Sequence, residues 1–189
     1  PLQEYWENDL GLICGNGYQI KENQTQRDAS FLHGLPNLDA TDLFKFAVKT
    51  EKLRTFSRKT ACWPRSPDIY QAPLVLVQEA PGQFRENGRA LLSSKSVAYC
   101  ESFHGYSAAG HAEGKWLVRY LHLFVHSSLW VYYALMTSPK FGVERRKFYK
   151  GDLDNCPIIP YERLTVAQKR VFLKLCVELE RDTPPASVF

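Results

Sequence analysis

The order of hydrophobic and polar positions predicts two strands in the middle of the chain. Residues 70–77, Tyr-Gln-Ala-Pro-Leu-Val-Leu-Val, end in a short unbroken run of β-forming residues, which is typical of a central strand buried on both faces. Residues 96–103 place alternate side chains on opposite faces, which predicts a second strand. A glycine-bearing loop is predicted over residues 105–114.

Farther along the chain, the spacing of apolar residues changes to the period of a helix. Residues 115–137 predict one long buried helix that ends near Pro139. Its apolar band consists of Leu117, Leu121, Phe124, Leu129, Tyr132, Tyr133 and Met136. The pattern over residues 166–179 predicts an amphipathic helix that is capped by Thr165. The side chains predicted to face the core are Val171, Leu175 and residues 177–179.

The N-terminal part of the chain carries weaker patterns. Residues 10–20 contain a Gly-Asn-Gly turn signal beside apolar residues, which predicts two short strands joined tightly. Residues 39–49 predict a short helix that leads into a strand.

At 189 residues, the chain has the length of one generous domain. We therefore expect a single mixed α+β domain over residues 1–189, with a possible helical extension at 162–189.

Charge changes this picture, because the positive residues are concentrated in two windows. The net charge is only +4, but seven basic residues and one acid lie between Lys45 and Arg65. Five basic residues and one acid lie between Lys140 and Lys150, among the aromatic residues Phe141, Phe148 and Tyr149. Such clustering favours a basic face that contacts phosphates, and two solvated loops are the alternative.

The predicted nucleic-acid contacts come from these windows and from the Ser-rich segment around residue 95. They are Arg58, Lys59, Arg65, Lys95, Lys140, Arg145, Arg146, Lys147 and Lys150. Lysine and arginine neutralise phosphates, and arginine can also bind guanine through two hydrogen bonds in the major groove. The aromatic residues beside these cations either stack on the ligand or anchor the loops to the core.

Cysteine usage and hydropathy bear on the cellular compartment. Five scattered cysteines without a CxxC pair make a disulfide framework improbable and favour a reducing cytoplasm. The apolar run at residues 116–136 is interrupted by Arg119, His122 and His126, which favours a buried helix over a membrane span. Because the first residue is Pro and no signal peptide follows, we expect a piece of a longer protein.

Motifs for catalysis are few. The glycine-rich cofactor loop and the Asn/Asp-Pro-Pro-aromatic tetrad of adenine methyltransferases are both missing from the sequence. His122 and His126 stand four residues apart without a glutamate between them, which favours a packed pair over a metal site. Glu113-Gly-Lys115 resembles half of a metal-dependent nuclease site, although the preceding strand offers only Glu101 as a further carboxylate.

Several segments together resemble the C-terminal target-recognition domain of adenine-N6 DNA methyltransferases, the TaqI-like specificity domain of restriction-modification enzymes. The resemblance rests on residues 70–77, 97–103 and 120–129, and on residues 142–150 followed by 153–160. It covers roughly residues 10–180. His126 stands where the family usually has asparagine.

This resemblance implies sequence-specific binding to double-stranded DNA. It also implies a separate methyltransferase domain, N-terminal to this chain, that holds S-adenosylmethionine and carries out catalysis. We accordingly expect no cofactor, metal or catalytic residue in these 189 residues. Two alternatives remain open: a small metal-dependent nuclease that uses Glu113 and Lys115, and a protein-interaction module that binds a partner through its long and C-terminal helices.

Overall fold

A four-stranded antiparallel sheet is the centre of the fold, which is a single mixed α+β domain. The computed structural model describes residues 1–42, 44–79, 90–138 and 149–181. Its strands are β1 (Ile13–Asn16), β2 (Arg27–Asp28), β3 (Pro36–Leu38), β4 (Arg54–Thr55), β5 (Thr60–Ala61), β6 (Leu74–Gln78), β7 (Ala90–Ser93), β8 (Ala98–Tyr99) and β9 (Phe103–Ser107). Its α-helices are α1 (Gly114–His126), α2 (Ser128–Thr137), α3 (Lys150–Asp154) and α4 (Val166–Glu180).

The main sheet has the order β1-β9-β6-β7, so β6 lies in its interior. All five residues of β6 are buried, which confirms the prediction of a central strand. Leu76 pairs with Gly105 of β9 on one side and with Leu91 of β7 on the other. Because both neighbours run antiparallel to β6, the strand needs no helical crossover to reach either of them.

The two faces of this sheet cover different cores. Val75, Val77 and Tyr106 point to one face, where they pack against apolar residues of α1, α2 and α4. Leu74 and Leu76 point to the opposite face, into a second core that is built largely from the shorter strands and turns. Alternate side chains of β6 therefore pack into two layers. One layer consists of the helices, and the other, the irregular layer, consists of the short strands and turns.

The irregular layer contains two small sheets. One has the order β4-β3-β8, and the other consists of β2 paired antiparallel with β5. The β2–β5 pair is only two residues long, and Ala61 is its buried member. These short strands position the chain from Arg58 to Arg65 on the side of the main sheet that faces away from α1 and α4.

The predicted N-terminal hairpin is wrong, because only β1 forms within residues 10–20. β1 pairs with β9, and the chain then continues to Tyr18, whose backbone N donates a hydrogen bond to Tyr99 O at 3.0 Å. Gly17 lies against the same backbone, where a Cβ atom would overlap Tyr99 O and Cys100 O. The glycine signal therefore marks a close backbone approach, not a hairpin turn.

The short helix predicted over residues 39–49 is also wrong. Residues 39–42 and 44–49 contain no helix, and a 3₁₀ turn follows at Thr50–Lys52. Val48 N donates to Leu92 O at 2.8 Å, and Leu92 N donates to Phe46 O at 2.9 Å. Pairing with β7 keeps this segment extended, and tertiary hydrogen bonds thus override the local pattern.

The single strand predicted over residues 96–103 is interrupted. A turn over residues 101–102 separates β8 from β9, and Phe103 N donates to Cys100 O at 3.1 Å. β9 then extends through Ser107 into the predicted loop. Glu101 is exposed at the turn, so its place in the alternating pattern does not mark a buried face.

The long predicted helix is broken into α1 and α2 at Ser127. The backbone of Ser127 is extended, with φ −74° and ψ 154°. Its Oγ donates to Phe124 O at 2.6 Å and accepts from Trp130 N at 3.2 Å, so one side chain caps the ends of both helices. The break changes which face is buried: Trp130 and Ala134 lie in the core, whereas Leu129, Tyr132 and Met136 are exposed.

The C-terminal helix is confirmed with the predicted start. Thr165 accepts a hydrogen bond from Gln168 N at 3.3 Å, and Gln168 Oε1 accepts one from Thr165 N at 2.8 Å, which forms a capping box. The predicted inward face is wrong in part, because α4 buries Phe172, Cys176 and Leu179 while Val171 and Val177 are exposed. Within the described ranges, no helix combines the length and apolar character needed to cross a membrane.

Candidate nucleic-acid interface

The first basic window forms an exposed surface on the irregular layer. Arg58 and Lys59 lie between β4 and β5, and both side chains are exposed. The backbone of Lys59 is fixed because its carbonyl accepts a hydrogen bond from Ala29 N at 2.8 Å. Of the second window, Lys140, Arg145, Arg146 and Lys147 lie outside the described residues.

Arg65 has an unusual backbone conformation. Its φ of 67° falls in the left-handed region, which non-glycine residues rarely adopt. Such conformations cost on the order of 1–3 kcal/mol and persist where the surroundings hold them in place. Arg65 Nε donates a hydrogen bond to Gly17 O at 3.4 Å, and Ser66 begins a 3₁₀ turn at Pro67–Tyr70. This long hydrogen bond restrains the side chain at Nε, while the residue remains exposed.

Two guanidinium groups lie near the ring of Trp63. The side chain is 41% exposed, and the Arg27 guanidinium lies 4.4 Å from its ring centroid. The Arg65 guanidinium lies 5.7 Å from the same centroid. Both distances fall within the range of cation–π attraction. The backbone of Trp63 pairs with Gln19, which fixes the indole relative to the N-terminal part of the chain.

Arg27 is absent from the predicted contacts. It lies on β2 opposite Ala61, and this pairing is what brings it to Trp63. Its own stretch of sequence is a mixed polar segment without an excess of positive charge. The only signal in the sequence would have been the pairing of β2 with β5, and strands of two residues are too short to produce a readable pattern.

Lys150 joins this surface from the other side of the main sheet. Lys150 begins α3, and it lines a cavity of about 450 Å³ together with Arg65, Asn16 and Ser66. The backbone of β1 forms one wall of the cavity. Because β1 is an edge strand, residues from both layers can meet there. The structure thus brings one predicted contact from each basic window into a single cavity.

The charge of Lys150 is held by a carboxylate. Its Nζ lies 2.5 Å from Asp154 Oδ2, and Tyr106 Oη donates to Asp154 Oδ1 at 3.1 Å. Burial lowers the pKa of Lys150, but the hydrogen bond to Asp154 and the negative charges around it outweigh burial and raise the pKa overall. Lys150 therefore stays protonated, although the neighbouring acid offsets part of its attraction for an anion.

The other predicted contact residues that the structure describes form no ion pair with a carboxylate of the described residues. Within the described part of the chain, Arg58, Lys59, Arg65 and Lys95 form no ion pair. Lys95 lies apart from the others, in the turn after β7, where its carbonyl accepts a hydrogen bond from Ser93 Oγ at 2.6 Å. Among the described residues, Lys95 neither lines the Arg65 cavity nor contacts Trp63.

The residues considered for metal chemistry are engaged in other contacts. Among the described residues, no three His, Cys, Asp or Glu side chains gather closely enough to hold a metal ion. Glu113 is exposed just before α1, and its backbone N donates to His111 Nδ1 at 3.1 Å. His104 Nδ1 lies 2.9 Å from Asn16 Oδ1 at the end of β1.

The predicted packed histidine pair is confirmed. The rings of His122 and His126 lie 4.5 Å apart, and both residues are buried. His122 Nε2 donates to Ala90 O at 3.1 Å, and His126 Nδ1 donates to His122 O at 2.8 Å. Burial, together with the charge of His126, lowers the pKa of His122 well below its ordinary value of 6.5.

The lowered pKa of His122 predicts a loss of stability in mild acid. As pH falls through 6.5, the unfolded chain takes up more protons at His122 than the folded chain does, so the contribution of His122 to the free energy of unfolding falls between pH 7.5 and pH 5.5. One proton contributes at most about 1.4 kcal/mol per pH unit. Urea unfolding at both pH values should give a smaller difference for His122→Gln than for the exposed control His33→Gln. Equal differences in the two variants would contradict the expectation.

Comparison with known proteins adds no family assignment: neither the protein-family models nor the curated proteins contain a match to this chain.

Proposed function

We propose that this chain is the DNA target-recognition domain of an adenine-N6 DNA methyltransferase of a restriction-modification system. In this proposal it binds double-stranded DNA in the cytoplasm and directs a separate N-terminal catalytic domain, which holds S-adenosylmethionine. The observation that carries its DNA-binding part is the meeting of Arg65 and Lys150, one from each basic window, in one cavity at the edge of the main sheet. The class of parent enzyme rests on the sequence resemblance alone. A basic surface assembled from distant segments is what a duplex requires of a protein that binds several of its phosphates.

The surface around Arg65 suits two kinds of contact. Arg58 and Lys59 are exposed cations without ion pairs among the described residues, and they would neutralise phosphates without reading sequence. Arg65 is held at Nε by Gly17 O, and no described residue accepts a hydrogen bond from its two terminal amino groups. A guanidinium fixed in this way retains the paired donors that recognise a phosphate or guanine.

The proposal predicts salt-dependent binding that depends on one face of the molecule. Fluorescence anisotropy with a labelled duplex should show that Arg58→Ala, Lys59→Ala and Arg65→Ala together weaken binding at least about tenfold at 0.1 M salt. The same triple variant should reduce the slope of log K against log salt by up to about 3. A matched control combines Arg163→Ala, Arg170→Ala and Lys174→Ala, which removes as many exposed cations from the α4 side of the sheet.

The control variant separates specific contacts from overall charge. If only net charge matters, the two triple variants weaken binding equally, and the proposed face is wrong. Duplexes that include the recognition site of the parent enzyme should be tested together with unrelated duplexes, because phosphate contacts give affinity for both. Absent or salt-independent binding to every duplex would contradict the proposed function itself.

A second candidate function is a protein-interaction module, which the exposed face of α2 favours. Leu129, Tyr132, Leu135 and Met136 are each more than half exposed, with values between 53% and 68%. Apolar side chains grouped on one helix often mark an interaction surface. Light scattering discriminates the two functions, since a stable dimer or hetero-complex without any affinity for DNA would favour this candidate over the first.

A further inference from the structure

We propose that Arg27, Trp63 and Arg65 form a clamp for one backbone phosphate of the bound DNA. Hereafter we call these three residues the Trp63 clamp. This inference rests on the proposed function and deepens it, because it assigns a phosphate contact to Arg27, which lies outside both basic windows. It also gives Trp63 a role as the support on which the two arginines are held.

The first support is the upper limit that the ring of Trp63 sets on the distance between the two positive charges. With guanidinium carbons 4.4 and 5.7 Å from one ring centroid, Arg27 and Arg65 are separated by no more than about one Debye length at 0.1 M salt, which is roughly 10 Å. Two like charges at this separation repel each other. The indole offsets part of that repulsion through its negative face, and an anion between the guanidinium groups would offset more.

The second support is that the two acidic residues near the arginines in sequence, Asp28 and Asp68, accept hydrogen bonds from serines. Asp28 accepts hydrogen bonds from the N and Oγ atoms of Ser30, which lower the pKa of Asp28. Asp68 Oδ2 accepts a hydrogen bond from Ser66 Oγ at 3.0 Å. Within the described ranges neither acid forms an ion pair with Arg27 or Arg65. Apart from Arg65 Nε, which donates to Gly17 O, the guanidinium donors of Arg27 and Arg65 have no acceptor among the described residues and can serve an external anion.

The third support is that each member of the clamp is anchored to a different part of the chain, Arg27 and Trp63 through their backbones. Arg27 is held by the pairing of β2 with β5, and Trp63 N donates to Gln19 O at 3.3 Å. Arg65 is anchored by the hydrogen bond from its Nε to Gly17 O. Side chains that are already positioned lose less conformational entropy on binding, so the clamp can bind a phosphate more tightly than mobile lysines can.

The phosphodiester is the ligand class that fits these donors. A guanidinium group presents parallel N–H donors that match two oxygens of one phosphate, and two guanidinium groups can share its nonbridging oxygens. Arginine and the indole N–H only donate hydrogen bonds, which suits an anionic ligand. With its guanidinium donors on phosphate oxygens, the clamp would position the DNA backbone and would not contact the bases.

Duplex binding by Arg27→Gln tests the clamp directly. We expect this variant to bind a labelled duplex about three- to tenfold more weakly at 0.1 M salt and to reduce the slope of log K against log salt by about 1. Lys21→Gln is the matched control, because Lys21 is an exposed cation nearby in the sequence but outside the clamp. The control should bind like the wild type. Wild-type affinity and slope in Arg27→Gln would overturn the clamp and leave the proposed function intact.

A second measurement keeps the clamp testable if no duplex binds. Inorganic pyrophosphate is titrated into the labelled protein while the Nε–Hε resonances of its arginines are followed by NMR. Saturable shifts of both Arg27 and Arg65, smaller in Trp63→Ala, would support a phosphate clamp even where the proposed DNA function has failed. If no duplex binds and neither resonance shifts, the clamp is overturned together with the function.

Discussion

Gly17→Ala should destabilise the domain by about 3 kcal/mol or more, since it forces atoms into occupied space. A Cβ atom at this position would overlap the carbonyl oxygens of Tyr99 and Cys100 and also the Tyr99 ring. Backbone atoms cannot move aside as a flexible side chain can, so β1 and the turn after β8 would have to separate. Urea or thermal unfolding followed by circular dichroism measures the loss of stability.

Gly15→Ala is the matched control for this substitution. A Cβ on Gly15 would meet only methyl carbons of Ile69 at 3.5 and 3.6 Å, which is ordinary van der Waals contact. The control should therefore change the free energy of unfolding by no more than about 1 kcal/mol. Equal stability of the two variants would contradict the close approach of Gly17 to the backbone of Tyr99. Gly17 O also accepts the hydrogen bond from Arg65 Nε. Displacement of Gly17 in the Gly17→Ala variant should therefore weaken DNA binding as well.

Trp130→Ala should cost about 3–5 kcal/mol of stability, which is the usual range for removing a large buried aromatic side chain. Trp130 is 1% exposed and lies in the core shared by α1, α2 and α4. Its ring stacks on Tyr133 at 5.9 Å between centroids. Denaturant unfolding with a constant m value would identify the change as a loss of native-state stability.

Comparison of Tyr132→Ala with Trp130→Ala tests which face of α2 is buried. Tyr132 is 63% exposed, so its truncation should cost less than about 1 kcal/mol. A continuous helix over residues 115–137, as the sequence predicts, would place Tyr132 in the apolar band. A larger loss for Tyr132→Ala than for Trp130→Ala would therefore contradict the break at Ser127 and favour the continuous helix.

Local patterns in the sequence were sufficient to predict a strand that is buried on both faces and a helix that starts at a recognisable cap. β6 is buried on both faces, so an unbroken apolar run identifies it. α4 starts at a capping box that is readable in four consecutive residues, although its buried face is rotated from the predicted one. The break at Ser127 could not be predicted in this way, because serine is compatible with a helix and only its hydrogen bonds to Phe124 and Trp130 reveal the cap.

The candidate interface depended on pairings that no local pattern contains. Charge clustering was sufficient to select Arg58, Lys59 and Arg65, since these residues are close in sequence. The meeting of Arg65 with Lys150 depends on β1 lying at the edge of the main sheet, and strand order is a long-range property. Arg27 reaches Trp63 through a two-residue strand pair, which is too short to be recognised in the sequence.

Hydrogen exchange with and without duplex DNA is the most direct test of the proposed interface. At low salt, the duplex should slow amide exchange in peptides that cover residues 58–66 and 13–17, where the basic segment borders β1. Peptides from α4, on the other side of the sheet, should exchange equally fast in both samples. Raising the salt should abolish the protection, because counterions compete for the phosphates. Protection confined to α4, or unchanged exchange over residues 58–66 in a sample where the duplex is bound, would contradict a DNA-binding face around Arg65.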